Sequence, residues 1–299
     1  MSAGTDTGKI LVTGGGGQLA VSLSMFGEGH VTRIGRPDFD FDRPETIAAS
    51  VARYRPRAVV NAAAWTAVDL AESEPEAARR ANETGPALLA EACAEAGIPL
   101  IHVSTDYVFS DDKGTPYVET DAISPQTVYG ATKAAGEKAV LAANPKTVVL
   151  RTAWVYSAHG KNFVRTMIAA GAKNPRLRVV GDQIGNPTSS DDLARAILAI
   201  LARIDETGWQ PDYAGIYHAT SQGETSWHGL AVAALEAAAR HGRPMPEIEA
   251  IRTEDWPTPA KRPRDSRLNC DKLERTFGVR LPDWQQTLVP TVDTIVSTS

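Results

Sequence analysis

The chain has 299 residues, 42% of them hydrophobic and 22% charged, a globular composition whose length suits one large domain or two modest ones. A formal net charge of -5 supplies no basic field for a polyanion, so nucleic acid is excluded as an expected partner. No stretch approaches the roughly 20 uninterrupted apolar residues of a membrane span, and the first eight residues lack the parts of a signal peptide.

Residues 10–13 form the first predicted strand, which runs straight into Gly14-Gly-Gly-Gly-Gln-Leu-Ala20. A strand must turn sharply into a helix here while the backbone approaches a ligand, and glycine permits both. The helix that follows offers free N–H groups and a positive dipole end to a pyrophosphate. Two registers fit, Gly15, Gly17 and Ala20 or Gly14, Gly17 and Ala20, and Leu19, Leu23 and Phe26 carry the helical spacing. This turn predicts a dinucleotide site.

The second strand, over 31–35, ends at Arg36 with no carboxylate before Asp38. An NAD site places an acidic residue there for the ribose 2′-OH. Here Gly35 leaves room for a 2′-phosphate and Arg36 can pair with it bidentately. NADPH is therefore the expected cofactor, with NADH left open. Ile47, Val51 and Tyr54 mark the next helix, 58–61 a strand, and 72–96 a long helical run that Gly97 and Pro99 stop. Strands are expected again at 100–104 and 147–151. This alternation predicts an α/β fold, a Rossmann-type doubly wound parallel sheet.

Tyr129-Gly-Ala-Thr-Lys133 places a phenol and an amine on one helix face. An ammonium beside a phenol favours the phenolate, so the pair can handle a proton near neutral pH. It follows Val103-Ser-Thr-Asp-Tyr107, hydroxyl-rich residues at the carboxyl end of a parallel strand, where open α/β sheets bind ligands. Thr105, Tyr129 and Lys133 are therefore expected to converge.

After residue 151 the pattern loosens, with helices expected at 191–204 and 227–241 and a strand at 215–220. The proline- and charge-rich stretch 252–267 reads as an extended, functional loop. Residues 1–155 are thus expected to form the dinucleotide-binding domain, with a returning segment near 186–220, and 156–299 mainly a smaller C-terminal α/β substrate domain. Cys93 and Cys270, without metal-ligand spacing, read as buried thiols of a reducing, cytoplasmic compartment.

Five segments carry a close resemblance to a known family: Val60-Asn-Ala-Ala-Ala-Trp-Thr-Ala-Val-Asp69, Ser104-Thr-Asp-Tyr-Val-Phe109, the Tyr129–Lys133 block, Arg151-Thr-Ala-Trp-Val-Tyr156 and Thr258-Pro-Ala-Lys-Arg-Pro263. Together with Gly185-Asn-Pro-Thr188 and Leu281-Pro-Asp-Trp284 they resemble the dTDP-4-dehydrorhamnose reductases, a branch of the extended short-chain dehydrogenase/reductases. The resemblance implies NADPH-dependent reduction of the 4-keto group of a dTDP-sugar. It implies Gly14, Gly17, Gln18 and Leu19 at the pyrophosphate, Asp40 and Phe41 at the adenine, and Asn61, Ala62, Ala63 and Ala64 along the adenosine ribose. Tyr129 is implied as proton donor, Lys133 as the group that holds the nicotinamide ribose and lowers the tyrosine pKa, and Thr105 as a second donor to the ketone oxygen. Asp106, Tyr107 and Trp154 are implied on the sugar side, and arginines of the 261–267 loop as diphosphate clamps. Homodimerisation and magnesium are left open; no compact carboxylate motif calls for the metal. Two alternatives stand: a sugar-nucleotide epimerase or dehydratase, although Tyr107 follows Asp106 where dehydratases carry a second carboxylate, and a non-catalytic regulatory subunit of the same fold.

Overall fold

β-Branched runs of the first half pair into one sheet because both of their faces are apolar and each is covered by helices. The computed structural model describes residues 8–110 and 113–298; the leader expectation for residues 1–7 lies outside the described residues. The first half runs β1 (Ile10–Thr13), α1 (Gln18–Phe26), β2 (Val31–Arg33), α2 (Glu45–Tyr54), β3 (Ala58–Asn61), α3 (Val68–Ser73), α4 (Pro75–Arg79), α5 (Gly85–Glu95), β4 (Leu100–Thr105), α6 (Val128–Ala143) and β5 (Thr147–Thr152). The second half adds β6 (Val155–Tyr156), α7 (Phe163–Gly171), β7 (Arg176–Val180), β8 (Ile184–Gly185), β9 (Thr188–Ser189) and α8 (Ser190–Thr207). It closes with β10 (Gly215–His218), β11 (Thr225–Ser226), α9 (Trp227–Ala239), β12 (Glu247–Ile251), α10 (Asp271–Phe277) and α11 (Trp284–Ser297).

Six strands form the central sheet in the order β2-β1-β3-β4-β5-β10, all parallel. The winding reverses between β1 and β3, and a doubly wound sheet opens its ligand crevice at the carboxyl ends beside that reversal. Alternate side chains serve opposite layers. Ile10 and Val12 pack with α1 and α8, while Leu11 packs with α2, α5 and α6. The chain returns to this sheet late, as α8 covers one face and β10 extends it past β5.

The run expected as one helix over 72–96 is broken. Glu74 leaves the helix (φ -126°, ψ 54°) before Pro75, whose ring disfavours a helical predecessor. Residues Arg80–Thr84 then widen into a π-helical turn before α5. That turn buries Asn82, whose amide closes both backbone groups of Trp65 at 2.9 and 3.2 Å.

The loosened second half holds more order than its sequence suggests. Helices α7, α9 and α11 share a separate core around Val164, Leu230, Ala234, Trp284, Leu288 and Val292. Helices α7 and α11 were not expected from the sequence; the latter carries Pro290 within it. The 252–267 stretch is irregular apart from one 3-10 turn at Thr253–Asp255. Among the described residues no helix is long and apolar enough to cross a membrane. Cys93 and Cys270 are both free and buried.

Candidate active site

A cleft of about 940 Å³ runs along the carboxyl ends of the sheet, from the glycine turn to Tyr129. Gly14 and Gly15 hold positive φ angles of +93° and +40°. A Cβ on Gly14 would lie 2.9 Å from the Ala62 carbonyl, so the turn presses backbone against the end of β3. Ala20 is fully buried against the sheet. Gly15 is closely placed too, with a Cβ there 3.3 Å from Gly35 Cα, so both registers keep a steric reason. Gly35 lines the cleft, and packing gives a second reason for glycine there: its Cβ would meet Gly15 Cα at 3.1 Å.

Side chains cap the first turns of α6, α7, α8, α9 and α11. Helix α1, like α2, α3, α4, α5 and α10, has no such cap, and Gly17, Gln18 and Leu19 at its start line the cleft. Its first N–H groups are left to whatever the cleft receives, which is the requirement for holding a pyrophosphate.

Arg36, Asp40 and Phe41 line the far end of the cleft. The Arg36 guanidinium lies 3.0 Å from Asp40 and 2.9 Å from Asp42, with its side chain 71% exposed. Phe41 packs flush on α5, where a Cβ on Gly85 would come within 2.2 Å of its ring. Ala62, Ala63 and Ala64 line the cleft as expected, but Asn61 does not. Asn61 is buried beneath the floor, accepting from Thr13 Oγ1 at 2.6 Å and from the Ala63 amide at 3.2 Å.

At the other end Thr105 closes β4, and α6 brings Tyr129 and Lys133 beside it. Thr127 caps α6 through the Gly130 amide at 3.0 Å. Gly130 lets the helix start touch the preceding loop, since a Cβ there would lie 2.2 Å from the Tyr107 carbonyl oxygen. The Thr105 hydroxyl lies near Tyr129 and favours its phenolate. Thr105 in turn donates to Asp106 Oδ1 at 3.0 Å and accepts from the Tyr107 amide at 3.2 Å. Burial pushes Asp106 up to about 6, against the hydroxyls of Ser266 and Thr105, which favour its charge.

Lys133 does not lower the tyrosine pKa as expected. Burial pushes Tyr129 up to about 12, with Thr105 opposing and Asp106 adding to the shift. The Lys133 amine turns along β4, donating to the Val103 carbonyl at 2.7 Å and lying 3.5 Å from His102 Nε2. Burial brings the amine down to about 8, while Glu137 favours its charge. Helical spacing puts the two side chains on one face, but the strand backbone claims the amine. Tyr129 is therefore held as a neutral phenol.

Two tryptophans wall this end. Trp154 sits at φ +49°, a strained backbone for a bulky residue, and its indole stacks on Trp227 at 3.6 Å with planes 6° apart. Gly185 makes room, since a Cβ there would lie 2.6 Å from the Trp154 ring. Tyr107 meets Tyr129 edge-on at 5.4 Å. Trp227 was not expected at the site, because its position opening a helix in the second half gave no sign of a partner 73 residues earlier.

Residues 8–297 match the family model described as the RmlD substrate binding domain. The chain belongs to the RmlD family. It is 44% identical to a dTDP-4-dehydrorhamnose reductase of Sinorhizobium fredii over 280 residues, covering 93% of this chain and 94% of that one. The crystal structure of a dTDP-4-dehydrorhamnose reductase from Clostridium acetobutylicum superposes with a TM-score of 0.87 at 38% identity, covering 95% of this chain and 98% of that one. The Bacillus anthracis dTDP-4-dehydrorhamnose reductase, solved in complex with NADP, gives 0.86 at 30% identity with the same coverage.

Beneath the reactive end this RmlD family member carries a buried ion pair that its sequence did not announce. Glu137 and Arg151 are each 2% exposed and meet bidentately at 2.7 and 2.9 Å, while Ser104 donates to the same carboxylate at 2.6 Å. The loop arginines expected as diphosphate clamps are committed elsewhere, and none lines the cleft. Arg262 grips Asp69 with both terminal nitrogens, Arg264 pairs with Glu254, and Arg267 with Asp265 and Glu224. Arg262 thereby ties the 252–267 loop to α3 and holds the Asp69 carboxyl below the usual carboxylate range.

Proposed function

We propose that this RmlD family protein reduces dTDP-4-dehydro-L-rhamnose to dTDP-L-rhamnose with NADPH. One observation carries the assignment: a neutral phenol, Tyr129, backed by Thr105, stands at one end of a cleft whose other end is an uncapped glycine turn. The family membership and the names of its relatives supply the substrate.

The adenosine end falls at Arg36, Asp40 and Phe41, and the pyrophosphate on the start of α1. An exposed pair such as Arg36 with Asp42 contributes about 0–1 kcal/mol, and the Arg36 side chain is itself largely in solvent, so a 2′-phosphate dianion can take the guanidinium. When bound, NADPH supplies the hydride for the ketone carbon. Tyr129 donates its proton to the C4 oxygen as negative charge grows there, and Thr105 turns its hydroxyl from Asp106 to the same oxygen; donors so placed in a dry site are worth several kcal/mol. Lys133 holds the nicotinamide ribose. Tyr107, Trp154 and Trp227 wall the sugar and exclude water.

A dehydratase or epimerase would return its cofactor unchanged, and the residue after Asp106 is Tyr107, so no second carboxylate stands there to move a proton at a neighbouring carbon. A regulatory subunit has no need of the assembled Tyr129, Thr105 and Lys133. Free, buried Cys93 and Cys270 support a reducing, cytoplasmic setting. Stoichiometric NADPH oxidation on adding the dTDP-4-keto-6-deoxy sugar, followed at the reduced nicotinamide absorbance, tests the assignment. Turnover without net oxidation would replace it with the epimerase or dehydratase reaction.

A further inference from the structure

His102 lies on β4 directly under the Lys133 amine and is fully buried. Its Nδ1 is 3.0 Å from Asn61 Nδ2 and its Nε2 3.5 Å from Lys133 Nζ. The orientation of the Asn61 amide follows from its neighbours: Oδ1 accepts from Thr13 Oγ1 at 2.6 Å and shares the Ala63 N–H with Thr13 Oγ1, at 3.2 and 3.3 Å, whereas the reversed amide would set two donors 3.2 Å apart. Asn61 therefore turns its NH2 toward His102. An NH2 can only donate, so Nδ1 must be the accepting nitrogen and a neutral ring carries its proton on Nε2.

We propose that His102 is a positioning residue for Lys133: locked by Asn61 as the Nε2–H tautomer, it faces the amine with a hydrogen-bond donor and directs the ammonium hydrogens to the Val103 carbonyl and the open cleft. A donor facing an ammonium disfavours the charged form, so the imidazole also sets the pH at which Lys133 loses its proton. The other charged group acting on the amine is Glu137 from α6, while Thr105 and Asp106 act on Tyr129, one helical turn away. Glu137 favours the charge on the amine, and Arg151 holds that carboxylate bidentately. Burial keeps the imidazole itself neutral.

The inference about Lys133 rests on the proposed reductase reaction; the tautomer does not. The first measurement is the ring nitrogen spectrum of the full chain labelled with 15N-histidine, with His102 assigned from a His102→Gln variant. A protonated Nε2 with a bare Nδ1 at pH 7 is expected, and a protonated Nδ1 overturns the proposal. The second is the pH profile of kcat/KM with NADPH and the keto sugar, which is expected to fall above about pH 8 as Lys133 loses its charge. His102→Phe removes the facing donor, and its alkaline limb should move up by about one pH unit. Asn61→Asp accepts from the ring, forces the Nδ1–H tautomer and turns a lone pair to the amine, so it should move the limb the same way. Folded variants with an unmoved limb overturn the proposal. Should the replacements unfold, the wild-type spectrum still decides the tautomer. A wild-type chain without turnover would retire the reaction instead and leave the spectrum to stand or fall by itself.

Discussion

Tyr129 and Lys133 show how neighbouring side chains on one helix acquire separate duties. The phenol is desolvated and lies near the Asp106 carboxyl, which together keep it protonated against the pull of Thr105, whereas the amine is drawn off by the Val103 carbonyl. Reduction requires a proton on the phenol at the start, so the raised pKa suits this direction of reaction. Tyr129→Phe keeps the ring and its contact with Tyr107 and deletes the donor. It should lower kcat by about 10²- to 10⁴-fold while cofactor affinity, read by fluorescence titration, stays within a few-fold. Arg36 acts at the same scale. Its guanidinium is the cation on the far wall of the cleft, so Arg36→Ala should raise KM for NADPH by about tenfold and leave KM for NADH nearly unchanged. Equal effects on both cofactors would remove the 2′-phosphate from its account.

Among the elements, α6 governs the site because glycines let it lie against its neighbours. A Cβ on Gly136 would fall 1.9 Å from the Asn82 carbonyl oxygen in the π-helical turn. Gly136→Ala should therefore push α6 away from that turn, costing about 1–3 kcal/mol in urea unfolding and displacing Tyr129 as well. Gly16 is the contrasting position. It lines the cleft, and a Cβ there would have nothing within 4 Å, so Gly16→Ala should unfold at the wild-type denaturant midpoint while weakening cofactor binding. Loss of stability there would mean that the glycine turn is held by packing alone. The break of 72–96 into α3, α4, the π turn and α5 belongs to this scale too, since it is the widened turn that presents Asn82 to Trp65.

Two of the charged contacts that join distant elements differ in depth. Glu137 with Arg151 links α6 to β5 under the reactive end, with Ser104 of β4 on the same carboxylate. Arg151→Met would strand the buried carboxylate, a loss of about 3–5 kcal/mol, and the double replacement with Glu137→Leu should recover most of it. Equal stability of the single and double variants, read by thermal and urea unfolding, would count against a buried charge pair. Asp69 with Arg262 is half in solvent and links α3 to the 252–267 loop. Asp69→Asn should change stability by less than about 1 kcal/mol, yet raise KM for the sugar nucleotide because the loop beside Tyr107 is released. An unchanged KM would show that the loop is held without the pair.

The sequence by itself determined the sheet and the chemistry-bearing residues that ride on it. Local signals suffice for both: β-branched runs at 10–13 and 58–61, the glycine turn between a strand and a helix, and the Tyr129–Lys133 spacing all act within a few residues. Tertiary structure alone decided where the Lys133 amine points, that Gly35 packs against Gly15, that Asn61 lies under the cleft floor with His102, and that Trp227 backs Trp154. It also decided that the loop arginines hold carboxylates in place of facing the cleft. Each of these depends on partners far apart in the chain, whose approach is settled by packing and by the need to satisfy every buried donor and acceptor, and no local pattern of residues records that balance.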